Sequence, residues 1–172
     1  PGVQESLSLI SKAALRMESL IDGLLHINRV SLHKLDRQSV DLSAFVTATH
    51  KKLVQEYPNT TIELTVPNTM PVNGDPHLLS IIIEELMSNA CKFSSTRSQI
   101  HLHIDYCFNG EEATVTVKDN GVGFDLAYSS QLFHLFGRLH KQSEFPGHGV
   151  GLAVVKRAIE RHGGHVSANS KL

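Results

Sequence analysis

The stretch that decides the fold is DNGVGFD, residues 119–125. Asp119-Asn120-Gly121 is the chemistry of a tight turn and is compatible with a plain hairpin. It is equally compatible with backbone passing close to a ligand, because Gly121 and Gly123 carry no Cβ. A second glycine segment bears on the choice: GHGVGL, residues 147–152. Gly147, Gly149 and Gly151 alternate directly ahead of a helical pattern. Glycine there costs backbone entropy and would be wasteful in a simple connection. Alternate glycines at a helix start expose N–H groups to an anion, and the helix dipole favours negative charge there. A phosphate cradle is the physical reading, and the two segments together suggest one nucleotide held at two ends. There is no GxxxxGK[ST] run, which argues against a P-loop. Nor do the glycines follow a strand as the first turn of a βαβ unit, which argues against a dinucleotide fold.

Between the chain start and these segments lies EELMSNACKFSS, residues 84–95. Glu85, Asn89 and Lys92 are spaced by four and three, so on a helix they share a face. Carboxylate and amide oxygens are hard donors suited to Mg²⁺, and the Lys92 ammonium can meet a phosphate as a point charge. The same trio also fits a solvated polar stripe on a half-buried helix.

The remaining pattern sets the architecture. Leu7, Ile10, Ala14, Met17, Leu20, Ile21, Leu24, Leu25 and Ile27 recur at helical spacing and predict a helix over 5–30. Its apolar face runs on in a heptad-like rhythm and is expected to meet a partner outside this stretch. SVDLSAFVTATHKKLVQEYP predicts a short extended piece and a helix capped by Ser43 and stopped at Pro58. TTIELTV alternates as a strand. GDPHLLSIIIEELMSNACKF opens with Asp75 as N-cap and Pro76 at the first helical position, and its dense apolar residues predict burial. QIHLHIDYCF, NGEE and ATVTVKD form a hairpin turning at Asn109-Gly110. Residues 125–148 are irregular, with a short helical pattern in SSQLFHLF. A helix ending at Gly163-Gly164 follows, and HVSAN begins a last strand. The predicted class is α+β: a two-layer sandwich with a mixed, largely antiparallel sheet and helices on one face, preceded by one long helix.

Composition narrows the function classes. The 172 residues carry a formal net charge of −1, which disfavours a general electrostatic grip on nucleic acid. No apolar run approaches the roughly 20 residues that span a bilayer. The first residues have no signal-peptide pattern and no initiator Met, so a fragment or processed product is expected. Cys91 and Cys107 show no metal spacing and suggest a reducing, cytoplasmic setting. The 11 histidines are scattered. His101 and His103 share one face of a strand, but no third ligand stands at a zinc spacing.

EELMSNACKFSS, DNGVGFD, LFHLFGRLH and GHGVGLAVVKRAIERHGG stand in an order and at separations that resemble the four boxes of the sensor histidine kinase ATP-binding domain. These are the asparagine, first glycine, phenylalanine and second glycine boxes of the Bergerat fold. FGRLHKQSEFPGHGVGLAVVKRAIERHGG looks most like kinases of the phytochrome-associated type, and the resemblance covers roughly residues 7–170. It implies ATP and Mg²⁺ as cofactors. Asn89 would bind Mg²⁺, with Glu85 beside it, and Lys92 would lie near the phosphates. Asp119 would accept from the adenine amino group, and Gly121 and Gly123 would let the chain pass the base. Phe133, Phe136 and Arg138 match the lid residues, and Gly147, Gly149 and Gly151 its far end. Phe93, His148, Val150 and Leu152 flank these positions within the boxes. The resemblance also implies a division into residues 1–36, the second helix of a dimerisation domain with its linker, and residues 37–172, a catalytic domain with a mobile lid at about 124–148. The implied partners are a histidine-bearing helix, a response regulator and a second subunit.

Two departures stand out. Many family members have asparagine where this chain has Glu85. The chaperone and gyrase ATPases have a water-activating glutamate there, so a hydrolase is an alternative reading, with a nucleotide-free interaction module as another. The phosphoacceptor histidine has no match, since His26 and His33 fall near the end of the second dimerisation helix.

Overall fold

The computed structural model describes residues 2–141 and 144–170. Helix α1 spans Gly2–Leu32. It is followed by β1 (Gln38–Asp41), α2 (Leu42–Glu56), β2 (Thr61–Thr65), β3 (Pro71–Gly74), α3 (Pro76–Ser94), β4 (Gln99–Phe108), β5 (Ala113–Asp119) and α4 (Gly151–Arg161). A short 3-10 helix, Leu126–Gln131, lies in the irregular segment. It starts earlier than the helical pattern read at 129–136.

The sheet is mixed. β2 pairs with β4 in parallel, Thr61 opposite Gln99, and β4 pairs with β5 antiparallel, Leu102 opposite Asp119. β1 and β3 form a separate antiparallel pair. β3 has no sequence signature: PVNG is too short and too turn-like to read as a strand, and it forms because β1 offers a partner edge.

Helix α3 is the spine of the molecule, and its pattern explains why. Ile83, Met87, Ala90 and Cys91 recur at spacings of four, three and one and pack with α2 and the sheet. Leu78 and Ile82, four apart on another face, join Val30 of α1 and Val154, Val155 and Ala158 of α4 in a second core. The remaining stripe carries Glu85, Asn89 and Lys92. The start of α3 is as predicted: Asp75 is the N-cap and accepts from the Leu78 N–H at 3.0 Å, with Pro76 next.

Asp75 is also a hub. It is 1% exposed and accepts from the Asp36 N–H at 2.9 Å, and it pairs with His33 Nε2 at 2.9 Å. Its own N–H donates to His162 Nε2. Burial works to raise its pKa, but the bonds from Asp36 and Leu78 and the pairing with His33 outweigh that and bring it to about 2. One residue, through its carboxylate and its backbone N–H, thus ties the end of α1, the start of α3 and the end of α4 together.

Helix α1 has two unlike halves. Leu7, Ile10, Met17, Ile21 and Leu24 are exposed, as the unpartnered apolar face predicted. Val30 is buried in the second core, Arg161 donates to the Val30 carbonyl, and Arg157 donates to Ser31 Oγ.

Two local expectations are corrected. Ser43 does not cap α2: Asp41 does, accepting from the Ser43 N–H at 3.0 Å. The Asp41 carboxylate simultaneously takes the Met70 N–H at 2.8 Å, which a serine two residues on cannot reach. HVSAN forms no strand among the described residues. Its residues join no ladder, Val166 lies against the second core, and the Oγ of Ser170, the next residue, accepts from the Phe124 N–H. A strand pattern specifies which face is buried, not that a neighbour is present to pair with.

Candidate nucleotide site

The polar stripe of α3 meets the start of α4 at Glu85. A Cβ added at Gly151 would overlap Glu85 Oε2 and come within 3.3 Å of Asn89 Nδ2. Gly151 is therefore glycine because two side chains of α3 occupy the space. Lys92 Nζ donates to Asn89 Oδ1 at 2.9 Å, and the Cβ position of Gly147 lies 3.4 Å from that ammonium. Residues 85, 89, 92, 147 and 151 thus converge. Burial raises the Glu85 carboxyl's pKa, opposed by the charges of His26 and Lys92. Burial lowers the Lys92 pKa, assisted by Arg138 and opposed by Glu85. Both shifts mark a site partly closed to water.

The other end of the stripe holds DNGVG. Asp119 is the last residue of β5, and its Oδ1 accepts from the Gly121 N–H at 2.8 Å. The Val122 N–H donates to the Phe93 carbonyl at 3.1 Å, which seats the loop on the last turn of α3. A Cβ on Gly121 would lie 2.7 Å from that carbonyl oxygen, so the opening question resolves as close approach rather than hairpin closure. Only Gly123 in this segment has a positive φ, 67°. Beneath Asp119, burial and then the charges of Glu56 and Asp119 push the Cys91 thiol up to about 11, so it is an inert packing group. From Glu85 to Phe93 the helix rises about 12 Å, so the two glycine segments face a common stripe from opposite ends.

The described residues between them fold back onto α3, with His140 and Phe145 against Phe93. The Phe136 N–H donates to the Gly149 carbonyl at 2.8 Å, and both residues have positive φ, 64° and 69°. A non-glycine residue in that region is uncommon and marks local strain. Arg138 donates to the Phe145 carbonyl, and His140 Nε2 lies 3.0 Å from the Gly123 carbonyl. Phe93, His140 and Phe145 form an aromatic group with ring centroids 5.2–5.4 Å apart. Of the other expected residues, Phe133 and Leu152 are half-buried and His148 is exposed. Val150 is turned away from the stripe: its Cγ2 lies 2.5 Å from the Cβ position of Gly23 on α1.

Residues 74–172 match the family described as histidine kinase-, DNA gyrase B- and HSP90-like ATPase. The chain belongs to that ATPase family. It is 32% identical over 173 residues to cyanobacterial phytochrome B of Nostoc, covering 99% of this chain and 23% of that protein. It is 25% identical over 169 residues to the sensor protein kinase WalK of Staphylococcus haemolyticus, covering 95% of this chain and 28% of the kinase. The chain thus spans about a quarter of the length of these relatives. Among solved structures, full-length ShkA in complex with AMPPNP superposes with a TM-score of 0.71 at 20% identity, over 100% of this chain and 36% of that one. The mycobacterial sensor histidine kinase MprB superposes with a TM-score of 0.63 at 24% identity, over 74% of this chain and 81% of that one. The fold is that of histidine kinase ATP-binding domains.

Several residues of this ATPase domain that shape the site escaped the sequence reading: Phe145, His140, Arg97 and Gly23. Phe145 and His140 sit in an irregular segment with no period to place them. Arg97 lies in a turn-like run, and a glycine inside a helical pattern reads only as a weakness.

Proposed function

We propose that this chain is the ATP-binding catalytic part of a two-component sensor histidine kinase. It would deliver the γ-phosphoryl group of ATP to a histidine outside the chain, for onward transfer to a response-regulator aspartate. Residues 1–36 are read as the second helix of the dimerisation domain with its linker, and residues 37–172 as the catalytic domain with a lid at about 124–148. The exposed apolar half of α1 supports a homodimer in the intact protein, with a helix of the dimerisation domain covering that face. No helix among the described residues is long and apolar enough to cross a membrane. The domain itself is read as working in the cytoplasm.

One observation carries the reading: Glu85, Asn89 and Lys92 of α3 meet Gly147 and Gly151 at the start of α4, while the last turn of the same helix seats Gly121. That arrangement suits a ligand with two unlike ends. Asp119 would accept from the adenine amino group. Lys92 and the α4 N-terminus would meet the phosphates, with Arg138 adding charge. The donor set fits Mg²⁺, since Asn89 Oδ1 already holds a cation, the Lys92 ammonium, and Glu85 lies beside it. Asn89 and Glu85 would hold the metal, which would neutralise phosphate charge. The protein's contribution is then positioning and electrostatics rather than covalent chemistry.

Calorimetric titration with a non-hydrolysable ATP analogue and Mg²⁺ tests the pocket. Binding that falls at least tenfold in Asp119→Asn is expected; no binding by the wild type would leave only an interaction module. A second reading, hydrolysis with Glu85 as general base, is favoured by its raised pKa. Steady ATP turnover abolished by Glu85→Gln would establish it, whereas the kinase reading expects negligible turnover from this chain alone.

A further inference from the structure

We propose that Asn120 and Arg97 are positioning residues that set base selectivity by fixing which oxygen of Asp119 is left for the ligand. The inference rests on the reading of Asp119 as the adenine acceptor and adds to it the residues that make that acceptor selective.

The ladder between β4 and β5 ends at Asp119, opposite Leu102. The next residue must leave the sheet so that Gly121 can reach the end of α3. Asn120 bridges the change. Its Nδ2 donates to the Gln99 carbonyl at 2.9 Å and its Oδ1 accepts from the His101 N–H at 3.0 Å. Those are main-chain groups of β4, so the carboxamide acts as one more peptide unit of the ladder. Only one orientation of the amide satisfies both partners, because the flipped form sets donor against donor. Arg97 fixes the next two peptides. Its Nε donates to the Asn120 carbonyl at 3.0 Å and its Nη2 to the Gly121 carbonyl at 3.1 Å. The guanidinium fork spans successive carbonyls in a way a lysine ammonium does not.

The consequence falls on Asp119. With the Gly121 peptide held from both sides, its N–H is aimed at Oδ1 at 2.8 Å. A carboxylate's terminal torsion is broad, so this bond is what sets the rotation. Oδ1 is then committed, and no described residue donates to Oδ2, which stays available to an exocyclic amine. If the loop is loosened, the carboxylate turns freely and both oxygens are solvated. The bonds of Asn120 and Arg97 described here all go to backbone atoms, so their effect on a ligand is indirect.

The test uses the full chain, titrated calorimetrically with ATP and with purine riboside 5′-triphosphate, which lacks the amine, each with Mg²⁺. The variants are Asp119→Asn, Asn120→Ala, Arg97→Ala and Arg97→Lys. The wild type should prefer ATP. Asn120→Ala should weaken ATP about tenfold and the amine-free nucleotide less than about twofold. Arg97→Ala should do the same to a smaller extent, about threefold, with part of the loss restored in Arg97→Lys. Arg97 is exposed, so its variants keep the test alive if Asn120→Ala does not fold. Equal losses for both nucleotides, or no loss for ATP, would overturn the inference. If Asp119→Asn removes the preference and neither Asn120→Ala nor Arg97→Ala reduces it, only the positioning role falls. If Asp119→Asn leaves the preference intact, the adenine reading falls and takes this inference with it.

Discussion

At 119–122 the chain is tied by Asn120 to β4, by Arg97 across two carbonyls, and by Val122 to the Phe93 carbonyl. At 147–151 the outer two glycines face side chains of α3 instead, the Lys92 ammonium at Gly147 and Glu85 with Asn89 at Gly151, while Gly149 between them abuts backbone, the Gly137 carbonyl. Two segments that look alike in sequence therefore meet different parts of α3. The base end abuts backbone, which cannot yield without moving α3. Where 147–151 meets α3, it abuts the tips of long side chains, which can yield. On the proposed reading, a rigid seat would suit a flat ring read by one carboxylate, and a compliant one would suit phosphates that arrive with a metal and leave after transfer.

The largest effect should follow from breaking the rigid end. Gly121→Ala places a methyl 2.7 Å from the Phe93 carbonyl oxygen, and should lower stability by about 3 kcal/mol, read as a drop in Tm. A wild-type melt would mean that the base end is compliant too. Next comes acid, which acts on the spine shared by both ends. Asp75 has a pKa near 2 against 3.8 for the free group. The folded state thus binds this proton less readily than the unfolded one. The stabilisation is full above about pH 4 and is lost as the pH falls towards 2, amounting to about 2 kcal/mol. Chemical denaturation across that window should show this loss diminished in Asp75→Asn.

At the compliant end the effect should be smaller and should couple to a single partner. Gly151→Ala should lose about 1 kcal/mol, and most of that should vanish in a Glu85→Ala background, because the carboxylate tip is the main obstruction and Asn89 need give only slightly. Additive losses in the double-mutant cycle would place the obstruction elsewhere. The smallest effect sits where α1 touches the end of this segment. Gly23→Ala puts a methyl 2.5 Å from Val150 Cγ2, which should shift α1 while costing less than about 1 kcal/mol. Spin-label distances between α1 and α4 should lengthen, and Val150→Ala should restore them.

Much of this was legible in the sequence, for a common reason: local periodicity and turn chemistry report what a segment does with its own neighbours. The cap at Asp75, the stripe of Glu85, Asn89 and Lys92, and the hairpin around NGEE all depend on residues within one or two turns of each other. The strand at 71–74, the unpaired run at 165–170 and the cap at Asp41 do not. Each depends on an edge or an N–H supplied from far along the chain.

The glycine segments show the same division most sharply. From sequence, Gly121 and Gly151 are alike: positions where backbone must come close to something. What each approaches, a carbonyl of α3 in one case and a carboxylate tip in the other, follows from how α3 packs between the sheet and α4. Spacing along a chain determines which side chains share a face. Which surface that face meets is decided by the burial of residues that are distant in sequence, and only the folded molecule specifies it.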